Sequence, residues 1–340
     1  MPFFRVVLLR AALAALVVVL AVPVSAAPSL VFDAADGRVI YAEDADTPWY
    51  PASLTKLMTA YVVFDMLKRG EVTPTSEFLI SPHANAQPKS RLGLGSGKRI
   101  NVNDALHALI IHSANDIAVA LAEAVSGSED EFVEDMNATA IKLGMLHTQF
   151  ANANGLPKEG QATTARDMGL LARAIITSFP EWLPVFAKTS AEIGHHTVAT
   201  HNRLLDHFEG ADGMKTGFTC GAGYNIVASA TRNNRKIVAV VLGERSGGER
   251  SAKAMKLLEA GFATTPGQLI DVKAVVPEPR DEASPLASLT FVPAQDLSQA
   301  RSVHNCFGPL GPTAKLVTEI AERKPAEAKS KGNEKKQAKK

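Results

Sequence analysis

The pattern of apolar residues changes twice along the chain, and this order limits the folds that it can form. Strand-like runs near residue 30 are followed by helical spacing from about residue 51, and strand-like runs return after residue 213. A last stretch at helical spacing ends near Phe262. The order strands, helices, strands, helix predicts an α/β (α+β) fold, in which both ends of the domain supply one antiparallel sheet and a helical cluster is inserted between them.

The strands are predicted from short apolar runs between turn residues. Leu30–Phe32 and Arg38–Tyr41 flank Asp36 and Gly37, and an Asp-Gly pair between such runs is typical of a hairpin turn. The domain is therefore predicted to open with two antiparallel strands. Three further runs after Gly213 are predicted to be sheet neighbours: Met214–Phe218, Tyr224–Thr231 and Lys236–Leu242.

Helical spacing dominates the middle of the chain. A helix is predicted to begin near Pro51, since proline is favoured in a first helical turn. The helix predicted from Val102 is interrupted between Ser113 and Asp116 and then resumes. Two more helices are predicted over Glu131–Leu143 and from Thr163 onward.

The first 26 residues have the features of an export signal. Arg5 and Arg10 precede an apolar run over Leu13–Val22, and Val24-Ser25-Ala26 offers small residues for cleavage. The run is shorter than the roughly 20 residues that span a bilayer, which favours a cleaved signal over an uncleaved anchor. We therefore predict a signal peptide over residues 1–26 and export to the periplasm or cell envelope.

The chain after residue 265 differs from the rest in composition. Prolines punctuate short apolar runs there, a pattern that fits either a few strands or an extended segment packed on the main domain. From Arg323 to Lys340, eight basic and two acidic residues leave almost no apolar surface to bury. The predicted organisation is one folded domain over 27–265, a short C-terminal extension over 266–322 and a disordered lysine-rich tail over 323–340.

Net charge and cysteine content restrict the partners and the cross-links. The formal net charge is +1, so no strong field of one sign indicates a nucleic-acid partner. Cys220 and Cys306 are the only cysteines, and export would place them where a disulfide persists. They fit either one bridge, which would staple the extension to the domain, or two buried thiols.

Ser53 and Lys56 form the first pair of residues that could carry chemistry. They lie three residues apart at the start of the first predicted helix. Residues at this spacing share a helix face, so the Lys56 amine would lie beside the Ser53 hydroxyl. A nucleophilic serine needs such a base when no histidine is available. Taken alone, the pair also fits a helix start with a solvated lysine.

Two further polar groups follow in the sequence. Ser113 and Asn115 fall at the predicted helix interruption among apolar residues, where buried polar groups need partners, although Ser113 alone also fits a helix cap. Lys215-Thr216-Gly217 lies on a predicted strand. A cation, a hydroxyl and a residue without a side chain would let a substrate backbone lie close there and present its carboxylate.

In this order the three groups are the motifs of penicillin-binding proteins and class A β-lactamases. The chain from about Ser29 to Phe262 resembles the low-molecular-mass penicillin-binding proteins that are D-alanyl-D-alanine carboxypeptidases. The resemblance implies a β-lactamase/transpeptidase-like fold, an antiparallel sheet with an inserted helical cluster. The segments that carry it are Tyr50–Thr59, Ser113–Asp116, Lys142–Met145, Thr164–Met168 and Asp212–Phe218.

The resemblance also implies a mechanism. Ser53 would be the acylated nucleophile, Lys56 its general base and Ser113 a proton relay toward the leaving amine. The backbone N–H groups of Ser53 and Phe218 would form an oxyanion hole. Water would then hydrolyse the acyl-enzyme.

The implied ligands follow from the same resemblance. Asn115 would bind the peptide, and Lys215 and Thr216, followed by Gly217, would hold its terminal carboxylate. The substrate would be a peptidoglycan stem peptide ending in D-Ala-D-Ala, and β-lactam antibiotics would be inhibitors. No metal or cofactor is implied.

Three alternatives are weaker. A class A β-lactamase would have aspartate where Ala114 stands and a glutamate-bearing loop for deacylation, and the sequence has neither. An inactive cell-wall-binding relative would have no need to keep the catalytic set together. A zinc enzyme lacks a His-Glu-x-x-His motif, and nearby histidines at a strand edge are usually solvated. Its candidate ligands would be His195, His196, His201 and His207.

The sequence departs from the better-known members of the family beyond the predicted catalytic domain. They carry a β-rich second domain and an amphipathic membrane-anchoring helix, whereas 75 residues follow Thr265 here. Pro312–Glu322 is too short and too weakly apolar to indicate an anchor. Membrane association, and the balance between carboxypeptidase, endopeptidase and transpeptidase action, stay open.

Overall fold

The computed structural model describes residues 27–265. The predicted signal peptide, the extension, the lysine-rich tail and Cys306 lie outside these residues. The domain boundaries drawn from the sequence therefore stay predictions.

The strands of the described part are β1 (Ser29–Asp33), β2 (Val39–Glu43), β3 (Glu77–Leu79), β4 (Arg99–Asn101), β5 (Ser190–Ile193), β6 (His196–Ala199), β7 (Ala211–Thr219), β8 (Gly223–Arg232) and β9 (Arg235–Glu244). Its α-helices are α1 (Thr55–Arg69), α2 (Pro82–Asn85), α3 (Val102–His107), α4 (Asn115–Ser126), α5 (Glu129–Lys142), α6 (Ala165–Ser178), α7 (Leu183–Phe186), α8 (Leu204–His207) and α9 (Gly247–Ala263). Ala52–Leu54 and Pro180–Trp182 are 3₁₀ turns, and Ala108–His112 is a π-helical turn.

The main sheet joins the two ends of the described range. Its five strands follow the order β2-β1-β9-β8-β7, and neighbouring strands are antiparallel. Ser29 of β1 lies opposite Glu43 of β2 on one side and Val241 of β9 on the other. The Asp-Gly turn between β1 and β2 places Gly37 at φ +76°, a backbone conformation that favours glycine. The predicted hairpin and the predicted sheet are confirmed.

Apolar side chains cover both faces of this sheet. On one face, alternate residues such as Phe32 and Val240 pack against the helical cluster that includes α1, α4 and α6. On the other face, Val31 and Ile237 pack with Leu258 of α9. Each fully buried side chain of this kind stabilises the fold by about 1.5–3 kcal/mol relative to exposure. The inserted helices and α9 therefore enclose the sheet between them.

A glycine sets how closely α9 approaches the sheet. A Cβ atom at Gly261 would lie 2.8 Å from Cγ2 of Ile237 and 3.2 Å from Cγ1 of Val31. The missing side chain therefore lets the helix backbone approach β1 and β9.

The helix interruption predicted near Ser113 is also present. The π-helical turn ends at Ser113, which has φ +63°, and α4 begins at Asn115. The predicted strands and helices are confirmed with shifted bounds; α5, for example, starts at Glu129 rather than Glu131. The small hairpins β3–β4 and β5–β6 were not predicted, because three or four residues are too few to show a period.

None of the helices within 27–265 is long and apolar enough to cross a membrane.

Candidate active site

Ser53 lies in the 3₁₀ turn that precedes α1. The residue before it, Ala52, has φ +48°, a left-handed conformation that costs an L-residue roughly 1–2 kcal/mol. Asn225 of β8, which is fully buried, holds this turn: its Nδ2 donates to the carbonyl oxygens of Tyr50 (2.8 Å) and Pro51 (3.2 Å). The sheet therefore fixes the strained segment that presents Ser53.

The Lys56 amine lies beside the Ser53 hydroxyl, as the spacing of the two residues predicts. Its Nζ is 3.2 Å from Ser53 Oγ, and it donates to Asn115 Oδ1 at 2.7 Å and to the carbonyl oxygen of Asn154 at 2.5 Å. Lys56 is only 1% exposed. All three hydrogen-bond partners of this amine are neutral oxygens.

Burial lowers the pKa of Lys56 well below its usual value, and the nearby Lys215 charge lowers it further. The carboxylate of Asp116 opposes both effects. The amine is thereby shifted toward its neutral form, in which it can accept a proton.

Asn115 and Asp116 connect the start of α4 to the loop over residues 88–93. The Asn115 side chain donates to the Pro88 carbonyl oxygen at 3.0 Å, and its backbone N–H donates to the Ser90 carbonyl oxygen at 2.7 Å. The Asp116 carboxylate accepts from the N–H groups of Leu92 (3.0 Å) and Gly93 (2.8 Å). Ser113, which is 6% exposed, lies two residues before Asn115. The helix junction thus places Asn115 in contact with Lys56, and Ser113 precedes it in the chain.

Strand β7 passes close to the Ser53 turn. A Cβ atom at Gly217 would lie 3.0 Å from Ser53 N and 3.1 Å from the Pro51 carbonyl oxygen, so a side chain there would require the Ser53 turn to move by a few tenths of an ångström. Phe218, the next residue, is 43% exposed, and its ring centroid lies 4.3 Å from that of Tyr224. The Phe218 backbone comes directly after Gly217, where β7 lies close to Ser53.

Two further basic residues, Lys215 of the Lys-Thr-Gly segment and Arg250 of α9, interact electrostatically in this part of the molecule. Lys215 is 3% exposed, and its Nζ donates to the Thr216 carbonyl oxygen at 3.0 Å. Burial lowers the pKa of Lys215 to about 7, and the Arg250 guanidinium adds to the effect. Burial also lowers the pKa of Arg250 to about 10. The site therefore concentrates positive charge where an anionic group would relieve it.

Sequence patterns did not indicate three of the residues that shape this site. Asn154 contributes a backbone carbonyl, which any residue type offers, and Asn225 acts through a contact with Pro51 that spans 174 residues. Gly155 has φ +83°, and a Cβ there would lie 1.9 Å from the Ala52 carbonyl oxygen. An Asn-Gly pair usually signals a turn, so the sequence offered a signal for a turn but none for a site.

The four histidines considered as zinc ligands do not form a cluster. His195 and His196 are exposed at the β5–β6 hairpin, and His201 and His207 are exposed further along. Within residues 27–265 no cluster of three or more His, Cys, Asp or Glu side chains could hold a metal ion.

Cys220 comes one residue after the end of β7 and is disulfide-bonded. Because Cys306 lies outside the described residues, the pairing of these two cysteines stays a prediction.

Comparisons with known proteins agree on one family. The family model described as D-alanyl-D-alanine carboxypeptidase matches residues 17–246. D-alanyl-D-alanine carboxypeptidase DacC of Escherichia coli (strain K12) is 39% identical over 240 residues, which cover 68% of this chain and 60% of that protein. DacF of Bacillus subtilis (strain 168) is 35% identical over 232 residues, 67% of this chain and 59% of that protein. The chain thus aligns with about 60% of the length of these relatives.

Solved structures show the same fold. DacD from Francisella tularensis aligns with a TM-score of 0.68 at 30% identity and covers 70% of each chain. Penicillin binding protein 5 from Haemophilus influenzae aligns with a TM-score of 0.68 at 36% identity, covering 70% of this chain and 71% of its own. Penicillin-Binding Protein D2 from Listeria monocytogenes, in its ampicillin-bound form, aligns with a TM-score of 0.62 at 31% identity and is covered to 97%. The β-lactamase/transpeptidase-like fold implied by the sequence motifs is confirmed.

Proposed function

Because the chain belongs to the D-alanyl-D-alanine carboxypeptidase family, we propose that it is a serine carboxypeptidase that removes the terminal D-Ala from peptidoglycan stem peptides ending in D-Ala-D-Ala. The observation that carries this proposal is the buried Lys56 amine, 3.2 Å from the Ser53 hydroxyl and hydrogen-bonded to neutral partners. A serine becomes nucleophilic when a neighbouring base accepts its proton, and this amine is the group placed to do so.

Acylation begins with attack of Ser53 Oγ on the carbonyl carbon of the penultimate D-Ala. The Ser53 proton passes to the neutral Lys56 amine as the carbon–oxygen bond forms. The peptide C–N bond then breaks, and Ser113 relays a proton to the leaving nitrogen of the terminal D-Ala. Water hydrolyses the resulting ester, which restores Ser53 and releases the shortened peptide.

The oxyanion that forms during acylation needs donors in fixed positions. We assign this role to the backbone N–H groups of Ser53 and Phe218. The close approach of Gly217 to Ser53 N supports the assignment, because it brings the end of β7 against the Ser53 turn. Both donors are main-chain groups, so their positions depend on the sheet and on the turn rather than on side-chain rotamers.

The positive charges of Lys215 and Arg250 support recognition of a free terminal carboxylate. We assign its binding to Lys215 and the Thr216 hydroxyl, and the peptide contact to Asn115. A bound carboxylate would offset the burial that lowers the pKa of Lys215. The same features suit β-lactam antibiotics, which carry a carboxylate and an acylating ring, and we include them as inhibitors.

Export to the periplasm or cell envelope is part of the proposal. It rests on the signal-like segment over residues 1–26 and on the location of peptidoglycan outside the cytoplasmic membrane. Amino-terminal sequencing of the secreted protein tests it. A mature start at Ala27 is expected, and a retained Met1 in the envelope fraction would contradict cleavage.

Product analysis tests the reaction itself. The purified protein is incubated with a stem pentapeptide ending in D-Ala-D-Ala, and separately with a crosslinked peptide dimer. Release of one D-Ala from the pentapeptide, blocked by prior treatment with penicillin, is expected. If the dimer is cleaved while the pentapeptide stays intact, the protein is an endopeptidase rather than a carboxypeptidase.

A further inference from the structure

A largely buried glutamate contacts the loop whose Asn154 carbonyl oxygen accepts from Lys56. Glu129 is the first residue of α5, and its side chain is 15% exposed. Its Oε1 accepts from the backbone N–H of Ala153 at 3.0 Å, and its Oε2 lies 3.0 Å from Nε2 of His83. Ala153 directly precedes Asn154, whose carbonyl oxygen accepts from Lys56 Nζ. The glutamate contact and the lysine contact therefore lie on adjacent residues.

The other side of Ala153 is held by α1. Its carbonyl oxygen accepts from Thr59 Oγ1 at 2.6 Å. Thr59 lies three residues after Lys56, so the two side chains share a face of the helix. The N–H of Ala153 is thus fixed by Glu129 and its C=O by Thr59, which leaves little freedom for the peptide group that follows.

The same segment is tied to α2 and to Gln87, two residues beyond the end of that helix. Asn154 Nδ2 donates to Gln87 Oε1 at 2.9 Å, and Gln87 Nε2 donates to the His83 carbonyl oxygen at 3.3 Å. His83 in turn contacts Glu129. Hydrogen bonds therefore close a ring that runs from Glu129 through the loop and α2 and back to Glu129.

We propose that Glu129 is a positioning residue for the Lys56 amine: it fixes the loop at Ala153 so that the Asn154 carbonyl oxygen stays hydrogen-bonded to Nζ. This inference rests on the function proposed above. The other two partners of Nζ, Ser53 Oγ and Asn115 Oδ1, come from residues at the starts of α1 and α4. The Asn154 carbonyl comes from a loop outside regular structure, which needs side-chain contacts to keep its place.

Glu129 acts through the backbone of this loop rather than through its own charge. The charged groups that change the pKa of Lys56 are Lys215 and Asp116. A glutamine at position 129 keeps an oxygen that can accept from Ala153, so Glu129→Gln should retain the function. Glu129→Asp keeps the charge but is one methylene shorter and should fail to reach the loop. Glu129→Ala loses both the charge and the acceptor.

The experiment measures the rate of acylation by a fluorescent penicillin at saturating concentration, as a function of pH, together with the thermal midpoint of each variant. Roughly tenfold slower acylation is expected in Glu129→Ala and Glu129→Asp. This loss is smaller than that for removal of a general base, because Lys56 itself is still present. The acid limb of the pH profile should move to lower pH, because loss of a carbonyl acceptor removes an interaction that favours the ammonium. Glu129→Gln should react nearly as fast as the wild type.

Asp130→Ala is the matched control, since it removes a carboxylate from the next position of the same first helical turn. It should leave the rate and the acid limb unchanged. Wild-type rates in Glu129→Asp would overturn the inference, as would a loss in Glu129→Gln as large as that in Glu129→Ala, which would indicate that the charge itself is required. Slower acylation with an unmoved acid limb and a lower thermal midpoint would show a merely structural role and also overturn it. Failure of the wild type to be acylated would overturn the proposed function itself, which is a separate result.

Discussion

Two groups of buried charges in this domain are arranged in opposite ways. In the candidate active site, Lys56 and Lys215 are lysines of 1% and 3% exposure with lowered pKa values, and their hydrogen-bond partners described above are neutral oxygens. At the start of α6, Arg166 is equally buried, but its Nε donates to the Asp46 carboxylate at 2.7 Å. The first group has like charges close together, and the second contains an ion pair.

This difference separates reactivity from stability. A buried lysine without a carboxylate partner has a lowered pKa, so its neutral form can take up a proton and its charged form can bind an anion. A buried ion pair keeps its charges, and losing one partner leaves the other uncompensated. The two regions are also linked through the backbone, because Trp49, in the segment that leads to Ser53, and Thr163, two residues before α6, exchange hydrogen bonds of 2.7 and 2.8 Å.

Replacing Lys56 by methionine, which is similar in length but has no charge, should have the largest effect. Acylation by penicillin should fall by about 10²- to 10⁴-fold, which is the usual contribution of a general base. The thermal midpoint should change little, because the lost hydrogen bonds are offset by removal of a desolvated charge. Stopped-flow acylation and thermal unfolding of the same preparation measure both quantities. Acylation at the wild-type rate would mean that another group is the base.

Arg166→Met removes the cation of the buried ion pair and should affect stability rather than reactivity. It leaves the Asp46 carboxylate buried without this partner, which should cost about 3–5 kcal/mol of unfolding free energy. The acylation rate of the folded protein should stay close to that of the wild type. Chemical unfolding and penicillin labelling provide the two readouts. The double variant with Asp46→Asn should recover part of the loss, and a single variant as stable as the wild type would show that the ion pair is not structural.

Lys215→Ala should have a smaller effect that depends on the substrate. The preference for a peptide with a free terminal carboxylate over its amide should fall by roughly tenfold, since one charge-assisted hydrogen bond is lost. Kinetics on the paired peptides measure this preference. If it is unchanged, Lys215 does not hold the carboxylate.

The pH dependence of the Lys215 charge gives a second test of its role in binding the carboxylate. Its pKa in the free protein is about 7, so its charge is present below that pH and is lost above it. The kcat/KM value for the free-acid peptide should therefore decline as pH rises through about 7, and this decline should be absent in Lys215→Ala. The acid limb should move upward in that variant, because the charge that helps to lower the pKa of Lys56 is gone. A pH profile that is identical in the two proteins would contradict the proposed coupling.

The sheet and its main helices could be predicted from the sequence because long segments repeat one period. The hairpin at Gly37 and the helix break at Ser113 were visible for the same reason, since a turn signal or a polar group interrupts an apolar pattern. The π-helical turn before Ser113 was not visible, because its residues continue the helical spacing. The short β5–β6 hairpin was missed because four residues per strand carry too little pattern.

The candidate site was predictable only where side-chain type carries the chemistry. Ser53, Lys56 and Lys215 stand in motifs whose spacing suits their roles. The Asn154 carbonyl and the Glu129 contact depend on how distant segments meet, and neither residue type is unusual at its position. Interactions that depend on backbone groups therefore had to come from the structure.

The proposed reaction depends on Ser53 as the nucleophile of the active site. Intact-mass spectrometry after incubation with a penicillin tests it most directly, in the wild type and in Ser53→Ala, which suits a helical turn and should keep the fold. The wild type should gain the mass of one penicilloyl group, and the variant should gain none while its thermal midpoint stays near that of the wild type. A penicilloyl adduct on folded Ser53→Ala would contradict the account.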